Sequence, residues 1–192
     1  MIKQNFQITA WCHRFIGDHV KEGDICVDAT VGNGNDTELL CSLVGSTGKV
    51  YGFDIQEQAL KATERRLKDK GYKAHLLCIG HETMHQHVQG VGEVSCIVFN
   101  LGYLPGGDHS KSTKADTSIS AIDSGLTLLR VGGMISLCIY SGGDSGFEEK
   151  ERVLNYLKQL DSKRYLVIVS EYYNRSNNPP IPVLIIKLGN VR

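Results

Sequence analysis

The chain has 192 residues with 21 basic and 21 acidic side chains; the length fits one domain with a full core, and zero net charge excludes a field that would coat nucleic acid or an anionic membrane broadly. Six Cys occur without a C-x-x-C pair, the start lacks a signal-peptide pattern, and no apolar stretch approaches the roughly 18 residues of a membrane span. We therefore expect a cytoplasmic protein with reduced, structural thiols, of which Cys26, Cys96 and Cys138 act as small hydrophobes within strands.

In chain order, Phe6 to Val20 carries helical spacing of apolar residues and closes at Lys21-Glu22-Gly23-Asp24. Residues 1–22 are expected to form a helical extension packed on a single domain that takes in all of 1–192. Strand-like and helix-like segments then alternate. The strands fall at 25–29, 49–54, 74–79, 94–99 and 133–139, and the helices near 36–44, 56–70, 82–89, 115–130 and 147–160. Strands separated by helices need crossover connections and so a mostly parallel sheet. The last two strands, 164–170 and 182–188, are joined by 171–181 without a helix and should pair antiparallel. The expected fold class is α/β, with a mostly parallel seven-stranded sheet, helices on both faces and a C-terminal antiparallel hairpin. That is the Rossmann-like methyltransferase layout; the dinucleotide-binding fold does not end in such a hairpin.

The segment Asp28-Ala29-Thr30-Val31-Gly32-Asn33-Gly34-Asn35-Asp36-Thr37 joins the first strand to the next helix. Strand, glycine turn and helix together give close backbone approach and unpaired N–H groups for a ligand. Asp54 ends the second strand, about 20 residues after the glycines, where a carboxylate can hold a ribose diol. The pair of features indicates a nucleoside-containing cofactor. A dinucleotide loop needs a third Gly where Thr37 stands, and Asp28 and Asp36 would repel a pyrophosphate. They favour an ammonium or sulfonium group, so S-adenosylmethionine is expected. The candidate loop contacts are Asp28, Thr30, Gly32, Asn33, Gly34, Asn35, Asp36 and Thr37. Ile55 can pack on an adenine face, and Gln56 can bond the ribose or base or simply begin the following helix.

Gly80-His81-Glu82 follows the third strand, and His81 can give adenine both a polar group and a flat contact. His81-Glu82-Thr83-Met84-His85 also matches H-E-x-x-H, which on an α-helix would set two imidazoles on one face for zinc. Val88 stands where the longer zinc pattern needs Gly, and no third ligand is evident, so no metal is expected. The fourth strand ends in Asn100-Leu101-Gly102-Tyr103-Leu104-Pro105-Gly106-Gly107-Asp108-His109. The Asn100 amide oxygen and nearby carbonyls can accept N–H bonds from a substrate amine and aim its lone pair at a methyl group. Tyr103 can stack on a base, and His109 or Asp108 can accept a proton. Asn100, Tyr103 and His109 are thus the catalytic candidates, Asn100 also touching the cofactor. Leu101, Gly102, Pro105, Asp108, Tyr140, Asp144 and Arg175 are the candidates for substrate binding. The basic run Lys61, Arg65, Arg66, Lys68, Lys70 and Lys73 reads as a solvated helix face, whereas Lys111, Lys114 and Arg175 lie nearer the expected mouth.

The DATVGNGNDT loop, the GFDIQ strand end, the GHE triplet and the NLGYLPGGDH loop resemble those of small bacterial class I methyltransferases long labelled "putative rRNA methylases". The resemblance covers nearly the whole chain. It implies N-methylation of 5-aminomethyl-2-thiouridine at the wobble position of tRNA, giving the 5-methylaminomethyl product, with the anticodon loop as partner. It also implies that Asn33, Asn35, Asp54, Gln56, Gly80 and His81 line the cofactor pocket while Asn100 and Tyr103 face the base. After the fifth strand that family tends to read Tyr-x-Gly-His; here Tyr140-Ser141-Gly142-Gly143 lacks the His, leaving Asp144 or His109 as substitutes. Balanced charge suits a partner gripped at an anticodon loop with few phosphates neutralised. The competing readings are an rRNA or small-molecule methyltransferase, an NAD-linked oxidoreductase, and a non-catalytic RNA-binding module. No membrane partner is expected, and a homodimer is left open.

Overall fold

A computed structural model of the chain describes residues 7–102, 113–140, 143–176 and 178–189. The central strands β1 (Ile25–Asp28), β2 (Lys49–Phe53) and β4 (Val94–Leu101) are almost continuously buried, as strands covered on both faces must be. Successive side chains serve opposite faces. Val27, Tyr51, Ile97 and Phe99 enter one core, whereas Cys26, Val50, Cys96 and Val98 enter the other. The second core is covered by α1 (Ile8–His19), α2 (Asn35–Val44) and α3 (Glu57–Asp69) through Ile16, Leu40 and Leu67. The first is covered by α4 (Ala115–Leu128) and α5 (Gly143–Lys158) through Ile122 and Val153.

With β3 (His75–Leu77), β5 (Leu129–Ile139), β6 (Tyr165–Val169) and β7 (Ile181–Lys187), the strand order is β3-β2-β1-β4-β5-β7-β6. Pairing is parallel from β3 through β5 and antiparallel for β7 against both β5 and β6. The order reverses between β1 and β4, which opens a crevice beyond their carboxyl ends. Because β6 runs in the same direction as β5, the 170–180 connection also lies at that end of the sheet. At the opposite end Asp24 binds Arg130 at 3.0 Å and the Ser95 hydroxyl at 2.7 Å, tying β1, β4 and β5 together. Buried Lys187 donates to the Leu126 and Leu129 carbonyls, satisfying the end of α4.

Three elements differ most from the sequence expectation, one of them α5, which begins at Gly143 rather than near 147. Residues 81–86 form a 3-10 helix, not an α-helix over 82–89. The buried residues there are His81 and Met84, three apart, and side chains at that spacing share a face in a 3-10 turn. β5 begins at Leu129 rather than 133, directly after α4. Its register against β4 shifts between Val94 and Cys96, and Gly132 at φ +78° lets Arg130–Gly133 bulge ahead of the expected strand start. All six thiols are unbridged; five are buried, while Cys78 is exposed and packs no core. No helix among the described residues is long and apolar enough to cross a membrane.

Candidate active site

A cleft of about 830 Å³ lies beyond the carboxyl ends of β1, β2 and β4, a size suited to a drug-sized ligand. Its floor is the turn after β1. Gly32 at φ +49° and Gly34 at φ +74° both occupy the left-handed region, which glycine alone enters without strain. A Cβ on Gly34 would also meet the Thr63 hydroxyl at 2.5 Å. Gly34→Ala is therefore expected to cost about 2 kcal/mol of stability and to displace the turn; thermal melts and ligand titration of the variant check both effects.

Asp28 and Thr37 do not reach the cleft. Both are fully buried beneath the turn, where Asp28 accepts the Thr37 hydroxyl at 2.6 Å and the Thr30 N–H at 3.1 Å. These bonds fold the turn back on its strand. Burial, reinforced by the nearby Asp36 carboxylate, pushes the Asp28 carboxyl up to about 7. The folded chain then holds a proton that the unfolded chain has released above about pH 4, so stability declines as pH rises from there through 7. Asp28→Asn keeps the shape and removes the titration. Its melting temperature is expected to fall less than that of the native protein between pH 5 and pH 8, as calorimetry at the two pH values will show.

Asp54, at the end of β2, lies on the cleft wall. Its two oxygens accept the Gly32 and Gln56 N–H groups, each at 2.8 Å. The carboxylate is thus held rigidly, with lone pairs left for a ligand diol. Ile55, 59 % exposed, and Gln56 stand beside it on the same wall. Gln56 makes no side-chain bond to the start of α3. His81 enters from the 3-10 helix, with Nδ1 at 3.1 Å from the Ala29 carbonyl. A carbonyl can only accept, so Nδ1 carries the hydrogen and Nε2 is left as an acceptor. Burial pulls the His81 pKa down and keeps the ring neutral. Glu82 also lines the cleft, whereas Gly80 and Gly34 do not. His85 turns the other way to the Ser124 hydroxyl at 2.8 Å, so the two imidazoles of the H-E-x-x-H match do not converge. Among the described residues no group of His, Cys, Asp and Glu is arranged to hold a metal ion.

Asn100 reaches the cleft from the end of β4. Its N–H is held by the Thr30 hydroxyl at 2.7 Å, and its Nδ2 donates to Asp36 Oδ2 at 2.6 Å. The other Asp36 oxygen lies 2.5 Å from His13 Nε2 on α1. His13 lines the cleft, and hydrogen bonding to Asp36 raises its pKa. Sequence reasoning missed this residue. It sits on the helix read as an extension, beside the buried stripe Ile8, Cys12 and Ile16, and no spacing rule links it to Asp36. Asn33 and Asn35 line the cleft as well. Arg66 does so too, but it is ion-paired with Glu38, which also binds Lys70 at 2.5 Å. Glu38 thus offsets one of the two positive charges it holds, and Lys61 pairs with Glu57 at 2.8 Å.

Of the substrate-side candidates, Gly102 and Tyr140 line the cleft, Leu101 is fully buried behind it, and Arg175 lies exposed in the 170–180 connection. Lys114 stands on the rim. Tyr103, Pro105, Asp108 and His109, with Lys111, fall outside the described residues; Asp144 belongs to the first turn of α5. Gly102 and Thr113 bracket that stretch and are joined twice, N–H of Gly102 to the Thr113 hydroxyl at 2.8 Å and N–H of Thr113 to the Gly102 carbonyl at 3.0 Å. Buried Glu149, unremarked in the sequence, accepts the Thr113 hydroxyl at 2.8 Å and the Ser118 hydroxyl at 2.7 Å. The cleft as a whole offers a rigid carboxylate, an apolar ledge, a neutral imidazole acceptor and a second acidic group beside a polar amide. That combination favours a cationic nucleoside over a phosphate-bearing one.

The model of a family described as "Putative rRNA methylase" matches residues 50–186. A chloroplastic Arabidopsis thaliana protein named tRNA (mnm(5)s(2)U34)-methyltransferase is 37% identical over 178 residues, 86% of this chain; the chain spans 63% of that relative's length. The crystal structure of a putative rRNA-methylase from Clostridium thermocellum superposes with a TM-score of 0.91 at 46% identity, covering 94% of this chain and 97% of that one. A putative methyltransferase from Streptococcus mutans, solved in complex with SAH, superposes at 0.85 with 37% identity and the same coverage of 94% and 97%.

Proposed function

Since the chain belongs to the family described as "Putative rRNA methylase", we propose that it is an S-adenosylmethionine-dependent N-methyltransferase acting on the aminomethyl nitrogen of a tRNA wobble uridine. The observation that carries this reading is the convergence of Asp54 and Asn100 on one cleft, from the ends of β2 and β4. The residues present fit the cofactor. Asp54 keeps free lone pairs for a ribose diol, Ile55 offers an apolar ledge for adenine, and His81 Nε2 can accept from its amino group. The acidic wall suits both a sulfonium and an amino-acid ammonium. The Arabidopsis relative's named substrate is a modified wobble uridine, and that name supports the same substrate class here.

S-adenosylmethionine, when bound, would supply an electrophilic methyl carbon whose bond to sulfur breaks as the bond to nitrogen forms, leaving S-adenosylhomocysteine. The protein's part is to hold the incoming amine. Asp36 accepts the Asn100 Nδ2–H, which leaves the amide oxygen of this cleft-lining residue free to accept. That oxygen accepts an N–H of the neutral amine and fixes the direction of its lone pair. Displacement then needs alignment more than any other catalytic help. The methylated ammonium product sheds its proton to water or to a base at the mouth. The test is mass spectrometry of tRNA nucleosides before and after incubation with enzyme and S-adenosylmethionine. The expected result is conversion of the 5-aminomethyl nucleoside to its methylaminomethyl form; if that nucleoside is unchanged while another RNA or small molecule is methylated, the substrate assignment fails. Stabilisation by S-adenosylhomocysteine but not NAD, read by thermal shift, tests the cofactor separately.

A further inference from the structure

We propose that His13, on the N-terminal helix, is a positioning residue for methyl transfer: acting through Asp36, it fixes which way the Asn100 amide faces. This rests on the function proposed above and adds to it a residue outside the turn and strand ends that carry the motif.

An amide can present either its oxygen or its NH2 to a neighbour, and the wrong choice points a donor at the substrate amine. A carboxylate only accepts, so Asp36 selects the NH2 of Asn100 and leaves the amide oxygen as the free end of a side chain that lines the cleft. Asp36 can make that selection only while its own orientation is held. Its second oxygen is taken by His13 Nε2 at 2.5 Å. The Asn100 backbone is pinned independently by Thr30 at 2.7 Å, so the amide torsion is the freedom that remains. His13 can act as an anchor because α1 is itself fixed, with Ile8, Cys12 and Ile16 buried against the sheet. The three side chains come from α1, α2 and β4, and only packing of the helix on the sheet brings them together.

The groups that act on His13 are few. Asp36 faces it from α2 and Cys12 adjoins it on its own helix. Beyond Cys12, at the end of β5, stand Cys138 and Tyr140. His13 is partly exposed, its side chain 32 % accessible beside an Asp36 that is 14 % accessible, so replacing it does not open the core.

The test pairs two variants with a readout that does not need turnover. His13→Ala is expected to lower kcat on aminomethyl-bearing tRNA by about 10- to 100-fold while the Kd for S-adenosylhomocysteine stays within about twofold. His13→Gln places an amide N–H near the position of Nε2 and is expected to recover most of the lost rate. Imidazole titration followed by NMR reports the network directly. His13 should titrate above the ordinary histidine range in the native protein, lower in Asp36→Asn, and higher still in Asn100→Ala, where Asp36 has only His13 to answer its charge. Full kcat in His13→Ala, a His13→Gln variant as slow as His13→Ala, or a His13 titration indifferent to Asn100→Ala would each overturn the proposal. A native protein that methylates no aminomethyl nucleoside would overturn the substrate reading instead, and the NMR titrations would still decide whether the network exists.

Discussion

Asp54→Ala is expected to weaken binding of S-adenosylhomocysteine by about 1–3 kcal/mol, roughly 5- to 150-fold. Two losses add in this variant. The ligand's hydroxyl groups lose their acceptor, and the Gly32 N–H, at 2.8 Å from Asp54 in the native protein, is left without its partner. The second loss loosens the glycine turn, so the effect should exceed that of deleting a lone surface carboxylate. Asp54→Asn disturbs the turn and the ligand contact together. It keeps the volume but must point its NH2 at either the Gly32 or the Gln56 N–H, so one of the two pinning bonds becomes a clash of donors. Isothermal calorimetry on both variants measures the change, and an unaltered affinity in Asp54→Ala would remove the ribose contact from the site.

Asn100→Ala should act on the other half of the reaction. Cofactor affinity is expected to change little, because the Asn100 backbone bond to Thr30 survives the substitution. Turnover on aminomethyl-bearing RNA is expected to fall by about 100-fold or more, since alignment of the attacking lone pair is lost. Single-turnover kinetics with saturating cofactor distinguishes this from a binding defect. Asn100→Asp is informative as well. It would bring a second carboxylate within 2.6 Å of Asp36 Oδ2, and the repulsion would favour a shared proton over the native amide bond. A variant without the amide that retained full turnover would mean that the amine is held elsewhere.

The sheet was legible because its central strands are short apolar runs, such as Ile25-Cys26-Val27 and Cys96-Ile97-Val98-Phe99, separated by helical patterns; both faces are covered, so the runs carry no polar alternation. The hairpin followed from the absence of a helix between the last two strands. The early start of β5 was hidden, because Gly132 and Gly133 look like a turn when the bulge they permit is unseen. The same limit applies at the site. Loop position said that Asp28, Thr37, Asp36 and Asp54 cluster, but not which side each presents. Asp28 and Thr37 lie beneath the turn, holding each other, while Asp36 and Asp54 face the cleft. His13 and Glu149 were out of reach for a different reason. Their partners are 23 and 31 or more residues away and are set by helix packing, which no local pattern encodes.

The double link between Gly102 and Thr113, braced by Glu149, has a consequence for how such a protein can diversify. The chain leaves β4 and enters α4 at a single stapled point. Ten intervening residues can therefore be exchanged, shortened or extended at little cost in loop-closure entropy, and neither β4 nor α4 has to slide to accommodate the change. Sequence change there would leave the turn after β1 and the Asp54 carboxylate that braces it as they are.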